Sequence, residues 1–185
     1  AKIALSDLVS DGRIHPTRIE EAVLKAKQTT AKQIKQYGEE AAYKAGVLGL
    51  HPELILLLGK LKFRFSYGQN ILDHSLEVSH LMGLMASELH LDVSLAKRIG
   101  LLHDMGKALS HEMEGSHAIL GHEMALKYGE TKEVANGIGC HHQEMEPITI
   151  EGSLCSAADA LSASRPGARS EAIEEYINRL KKLEE

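Results

Sequence analysis

His103 and Asp104 are adjacent, and they close an apolar helical run, RIGLLHD. His103 continues the inward stripe of Leu95 and Ile99, while His74 shares a helical face with Val78, Leu81 and Met85. His141 and His142 follow Val134 and Ile138 at helical offsets, and Asp159 lies one turn after Cys155 in the small, apolar SLCSAADALSAS. His117 has Gly121 one turn on, which lets another element approach closely. Five helices thus each send His or Asp inward. A buried carboxylate without a partner costs several kcal/mol. A cation shared by these side chains offsets that cost and fixes their geometry. Imidazole nitrogen with carboxylate oxygen suits Mn²⁺, Fe²⁺, Co²⁺, Ni²⁺ or Zn²⁺ better than Ca²⁺, with Mg²⁺ possible. Taken singly, His15, His51, His80, His90, His111 and His122 read as ordinary core, surface or helix-start residues.

The elements that must position these groups are helical nearly throughout. Apolar spacing follows a helical period, with no period-2 strand pattern, internal repeat or low-complexity linker. ALSDLVSDG is a short helix stopped at Gly12, and His15-Pro16-Thr17 opens a long charged helix weakened near Gly38. His51-Pro52 opens the next helix, and KFRFSYGQN reads as a loop. NILDHSLEVSHLMGLMASELH, VSLAKRIGLLHD, a helix capped by Ser116, TKEVANGIGCHH, EGSLCSAADALSAS and SEAIEEYINRLKKLEE follow. The expected fold is all-α, a compact bundle of eight or nine helices with the metal site in its centre. Residues 1–50 are expected to form an amino-terminal helical extension that packs on or links to the core, and residues 51–185 the core that carries the metal site, in a single domain overall.

The 185 residues are 43% hydrophobic, enough for one real core. Aromatics are 4% with no Trp, so Leu, Ile, Val, Ala and Met fill it. A net charge of −5 is not the footprint of a strong stand-alone nucleic-acid binder. Two cysteines, Cys140 and Cys155, form no CxxC pair or disulfide framework, so a reducing, cytoplasmic setting is the default. No apolar run is long enough to span a membrane, so no membrane contact is expected of this segment. Both ends read as cuts within a longer protein.

The order His74, His103-Asp104, Asp159 resembles the H…HD…D pattern of the HD-domain metal-dependent phosphohydrolases. His117 in EGSH and the pair His141-His142 resemble the extra ligands of two-metal members. RIHPTRIEEAV, GLHPELI, FSYGQNILDHSLEVSHLMGLMA, GLLHDMGKA, the downstream EP and AADALSASRPGAR further resemble the ribonuclease Y family of bacterial endoribonucleases, over almost the whole chain. That resemblance implies a catalytic domain that normally follows a membrane anchor, a coiled coil and a KH RNA-binding domain. The parent protein would then sit at the cytoplasmic face of the cell membrane. It implies single-stranded RNA as substrate, with preference for a 5′-monophosphate, internal phosphodiester hydrolysis in messenger-RNA turnover, homodimers and RNA-decay partner proteins.

On this resemblance His74, His103, Asp104 and Asp159 hold a first metal. Asp104 bridges to a second, held by His117, His141 and His142. Two ions about 3.5–4 Å apart acidify a bridging water and clamp the phosphate oxygens. His103 and Asp104 are then catalytic as well as ligating. Lys107 either places its ammonium on a phosphate oxygen or is an exposed helix-end lysine. Arg165 and Arg169, in SRPGAR, hold an adjacent RNA phosphate or flank the helix in solvent. Arg64, Tyr67, Gln69 and Asn70 contact a base or ribose, or cap the His74 helix, the cap carrying more weight. Lys60 and Lys62 read as solvated charges.

Two other functions fit the same residues. One is a nucleotidase or cyclic-nucleotide phosphodiesterase, although no GYP follows His141-His142. The other is a dimerisation or scaffold module of an RNA-decay assembly, for which Lys107 beside buried carboxylates has no use. The charge balance generates a first prediction. RNA binding by the isolated chain should be weak and fall only gently with salt. Fluorescence anisotropy across a salt series measures this, and nanomolar binding with a steep slope would contradict it.

Overall fold

The computed structural model describes residues 1–12, 15–109, 115–165, 167–168 and 181–182. Among these the fold is all-α, with eight helices and one minimal hairpin. The closing segment SEAIEEYINRLKKLEE lies almost wholly outside the described residues.

Helix α1 (Lys2–Asp11) stops at Gly12, whose left-handed φ of 71° suits glycine. Helix α2 (Pro16–Ala45) and helix α3 (Pro52–Leu61) each begin at a His-Pro step. In both, the histidine Nδ1 accepts a backbone N–H at the helix start, from Thr17 and Glu53 respectively. Proline at the first position has no N–H that needs a partner.

Helix α2 runs unbroken through Gly38, where the sequence reading placed a weakness. The reason is packing. A Cβ on Gly38 would lie 2.0 Å from the Ile55 carbonyl oxygen, and one on Gly59 would lie 1.8 Å from that of Ile34. Two glycines therefore let the α2 and α3 backbones touch. The buried residues of α2 are small and lie mostly in its carboxyl-terminal half, while Leu24 and Tyr43 face solvent.

KFRFSYGQN, expected as a loop, contains two two-residue strands, β1 (Phe65–Ser66) and β2 (Gln69–Asn70), paired antiparallel. Tyr67 and Gly68 both take positive φ, which a tight two-residue hairpin turn requires. Asn70 then caps helix α4 (Ile71–Glu88), its Oδ1 accepting from the Asp73 N–H. Helix α5 (Val93–Leu102) is capped by Asp92 and runs into a short 3-10 turn, Met105–Ala108. Helices α6 (His117–Lys127), α7 (Lys132–Cys140) and α8 (Ile150–Ser164) start at Ser116, Thr131 and Thr149, each hydroxyl accepting a backbone N–H.

The core falls in two groups. Leu54, Leu58, Leu61, Leu101, Leu102, Met105 and Ile138 fill the α3–α5–α7 side. Val78, Met82, Ile99, Cys155 and Ala158 fill the space between α4, α5 and α8. His103 and Asp104 follow directly on Leu101 and Leu102, so the chain enters the site from the best-packed part of the molecule. Arg98 ties the periphery to this core, pairing with Glu130 and donating to the carbonyls of Leu48 and Gly49.

The Gly38–Gly59 contact makes a test. Gly59→Ala should destabilise the chain by about 1–3 kcal/mol, because the backbone carbonyl of Ile34 must move. Chemical denaturation measures the loss, and an unchanged midpoint would show that α2 is not held at this distance.

Candidate metal centre

Five helices place their ends or inner faces around one point. His74 comes from α4, and His103 from the carboxyl end of α5. Asp104 opens the 3-10 turn, His117 is the first residue of α6, His141 follows α7, and Asp159 lies on α8. The 3-10 turn reaches α6 through another glycine contact: a Cβ on Gly106 would lie 1.9 Å from the His117 carbonyl oxygen. That approach brings Asp104 to His117.

Asp104 is at the centre, and its two oxygens face different partners. Oδ2 lies 3.6 Å from His103 Nε2 and 3.9 Å from His74 Nε2. Oδ1 lies 3.4 Å from His117 Nε2 and 3.9 Å from His141 Nε2. His74 Nε2 also lies 2.9 Å from Asp159 Oδ1. His142 is exposed, and its ring centroid is 4.1 Å from that of His141 and 5.0 Å from that of His117.

Nε2 of His74, His103, His117 and His141, with Oδ1 of Asp104, are buried and make no hydrogen bond. Buried polar atoms are otherwise nearly always satisfied. Five such atoms aimed at each other, all good donors to first-row metals, fit a divalent ion. The donor atoms form three overlapping groups: His74, His103 and Asp159; His103, Asp104 and His141; and His117, His141 and His142. The far side of two rings is fixed. His103 Nδ1 hydrogen-bonds to the Gly100 carbonyl at 2.8 Å, and His141 Nδ1 to the Ile138 carbonyl at 2.6 Å. A carbonyl only accepts, so each Nδ1 carries the proton and each Nε2 offers a lone pair.

Protonation follows from burial. Burial lowers the pKa of His103, and it lowers His117 to about 4 and His141 to about 3, with Asp104 opposing only in part. These imidazoles are therefore neutral near pH 7, as metal ligation requires. Burial alone would raise Asp104, but His103 and the Lys107 ammonium outweigh it and hold the carboxylate well below its usual range. Asp159 is held low in the same sense, by His74 and His103 against burial.

The flanking residues are placed as follows. Lys107 Nζ donates to Asp104 Oδ2 at 2.7 Å and remains partly accessible at the rim. Arg64 donates to the Ala108 carbonyl at 3.3 Å, and Asn70 serves as the α4 cap. Arg165 pairs with Glu77, Nε to Oε1 at 2.7 Å, and its side chain stays exposed. Arg169 and His111 lie outside the described residues. Ser162 and Glu77, which the sequence reading passed over, adjoin His74. Each lies three residues beyond a ligand on the same helix, Ser162 after Asp159 and Glu77 after His74, and that spacing was the available signal.

A family model described as the HD domain matches residues 71–164. The chain belongs to the HD domain family. This HD domain is similar throughout to proteins named Ribonuclease Y. One from Protochlamydia amoebophila is 76% identical over 185 residues. Another from Clostridium botulinum (strain Langeland) is 62% identical over 185, and one from Syntrophomonas wolfei is 60% identical over 184. All of this chain is covered in each case, but it spans only 36% of the length of those relatives. No solved structure matches it. Among the described residues no helix is long and apolar enough to cross a membrane. HD domains bind divalent metals, and this one is a metal-dependent hydrolase domain.

The buried imidazoles predict how the metal-free protein responds to acid. The unfolded histidines take up protons near 6.5, whereas His117 and His141 resist until about 4 and about 3. The unfolded state then binds more protons in that window, so stability falls with falling pH. The melting temperature of the metal-free chain should drop as pH is lowered from 6.5 toward 4, ahead of any carboxylate effect. A flat profile there would show that these rings are not buried neutral.

Proposed function

We propose that this HD domain is the catalytic domain of a metal-dependent endoribonuclease, hydrolysing internal phosphodiester bonds of single-stranded RNA in messenger-RNA turnover. The observation that carries this reading is the match, 76% identical along the whole chain, to a protein named Ribonuclease Y. The centre described above supports it chemically. On this proposal His74, His103, Asp104 and Asp159 hold one ion, and His117, His141 and His142 hold a second, with Asp104 facing both. The ion is Mn²⁺, Fe²⁺, Co²⁺, Ni²⁺, Zn²⁺ or Mg²⁺. When bound, such ions supply Lewis-acid polarisation of the phosphoryl group and a lowered pKa for water.

The chain's own groups do the rest. Asp104 stays ionised and presents one oxygen to each set of histidines. Neutral His103, His117 and His141 present lone pairs without first losing a proton. Lys107 holds Asp104 Oδ2 and brings positive charge to the rim, where a non-bridging phosphate oxygen would arrive. Arg64 lies on the same side through its contact with Ala108, next to Lys107 in the chain, and with Arg165 and Arg169 it would steer an RNA strand.

In the longer protein this domain would work as a homodimer with RNA-decay partners. It would face the cytoplasm, with the parent chain anchored to the membrane. Residues 1–50 would form its amino-terminal extension and residues 51–185 its catalytic core.

The test gives a 5′-monophosphorylated single-stranded RNA to the Mn²⁺-reconstituted chain, with Asp104→Ala in parallel. Internal cleavage should appear, and it should fall by at least about a hundredfold in the variant. A folded, metal-loaded protein that spares RNA but hydrolyses a small nucleotide would replace this reading with a nucleotidase.

A further inference from the structure

The buried imidazoles of the centre are not held alike. His103 and His141 lean on carbonyls of their own helices, which any sequence would supply. His74 Nδ1 instead meets Ser162 Oγ on α8 at 2.8 Å. Ser162 is 1% exposed, so water does not complete its hydrogen bonding. Its Oγ–H donates to Glu77 Oε2 at 2.8 Å, and Gln69 Nε2 donates to the same Oγ at 3.4 Å.

A hydroxyl has one proton to give, and a carboxylate only accepts. With that proton committed to Glu77, Ser162 can only accept from His74. The His74 proton is therefore on Nδ1, and the lone pair is on Nε2. Nε2 is the atom that faces Asp159 and Asp104. Arg165 closes the chain of contacts, its Nε 2.7 Å from Glu77 Oε1 and its Nη2 3.2 Å from Oε2. Helix α8 thus faces both nitrogens of one ring: Ser162 accepts at Nδ1, and Asp159 Oδ1 lies 2.9 Å from Nε2, where a cation shared by the two would sit.

We infer that Ser162 and Glu77 are positioning residues for His74: together they dictate which ring nitrogen is bare and where it points, and Arg165 locks Glu77 in place. This assignment rests on the metal reading of the centre. It also gives Arg165 a second task, beside the steering of RNA proposed for it.

The test is Mn²⁺ affinity, by isothermal titration calorimetry on the intact chain, with a thermal melt of each variant to establish folding. Ser162→Ala should weaken binding by about 10–100-fold, the range typical of residues that orient a ligating histidine. Ser162→Thr keeps the hydroxyl and should restore binding to near the wild-type value. Glu77→Gln can donate to Ser162 and free its proton to face His74, so binding should weaken there too. Wild-type affinity in folded Ser162→Ala overturns the inference and leaves the metal centre standing. Equal losses in the Ala and Thr variants also overturn it, since volume rather than the hydroxyl would then matter. Where Ser162→Ala does not fold, Glu77→Gln decides, and unchanged affinity overturns the inference. No Mn²⁺ binding by the wild type overturns the metal reading, and this inference with it.

Discussion

The Asp104 carboxylate is charged, almost fully buried, and has one oxygen without a hydrogen bond. A charge in that position is strongly unfavourable unless opposite charge comes to it. Lys107 supplies part of that from the rim, and the ring of imidazole nitrogens is arranged to hold the rest as metal. Much of the molecule can be understood as the framework that makes this burial possible. The leucine-rich segment before Asp104 removes it from water. The glycine contact between the 3-10 turn and α6 sets how far it reaches toward His117.

Rigidity around that charge comes from local backbone devices. Nδ1 of His103 and of His141 is tied to the carbonyl three residues earlier. Each ring is therefore oriented by the last turn of its own helix and needs no partner elsewhere. Helix starts are equally local: His15, His51, Asn70, Asp92, Ser116, Thr131 and Thr149 each satisfy an exposed N–H of the first turn. The site inherits its precision from helix ends that are individually well closed.

This locality explains what could be read from residues alone. Helical periodicity turned His74, His103 and Asp159 inward, and His-Pro steps marked the starts of α2 and α3. Gly121 beside His117 signalled a close neighbour, which is the Ile138 side chain, 2.8 Å from where a Cβ would stand, with the Gly106 turn next to it at 3.6 Å. What escaped the sequence was non-local. Two-residue strands have no period to detect, so the Phe65–Asn70 hairpin read as loop. Gly38 read as a flaw in α2 because its partner, the backbone of α3, is remote in sequence. Ser162 sits among alanines and serines and looks like packing, and the pairing of Arg165 with Glu77 joins segments remote in sequence.

The positions of the ligands along their helices also constrain how such a chain can change in length. His103 and His141 follow the last turns of α5 and α7, and His117 opens α6. One residue added inside α5 or α7 would swing the terminal ring by about 100° around the helix axis and away from Asp104. A residue added to the connection before either helix leaves that rotation unchanged. Tolerated insertions and deletions in chains of this kind therefore belong in the turns, and the helical segments that end in a ligand are of fixed length.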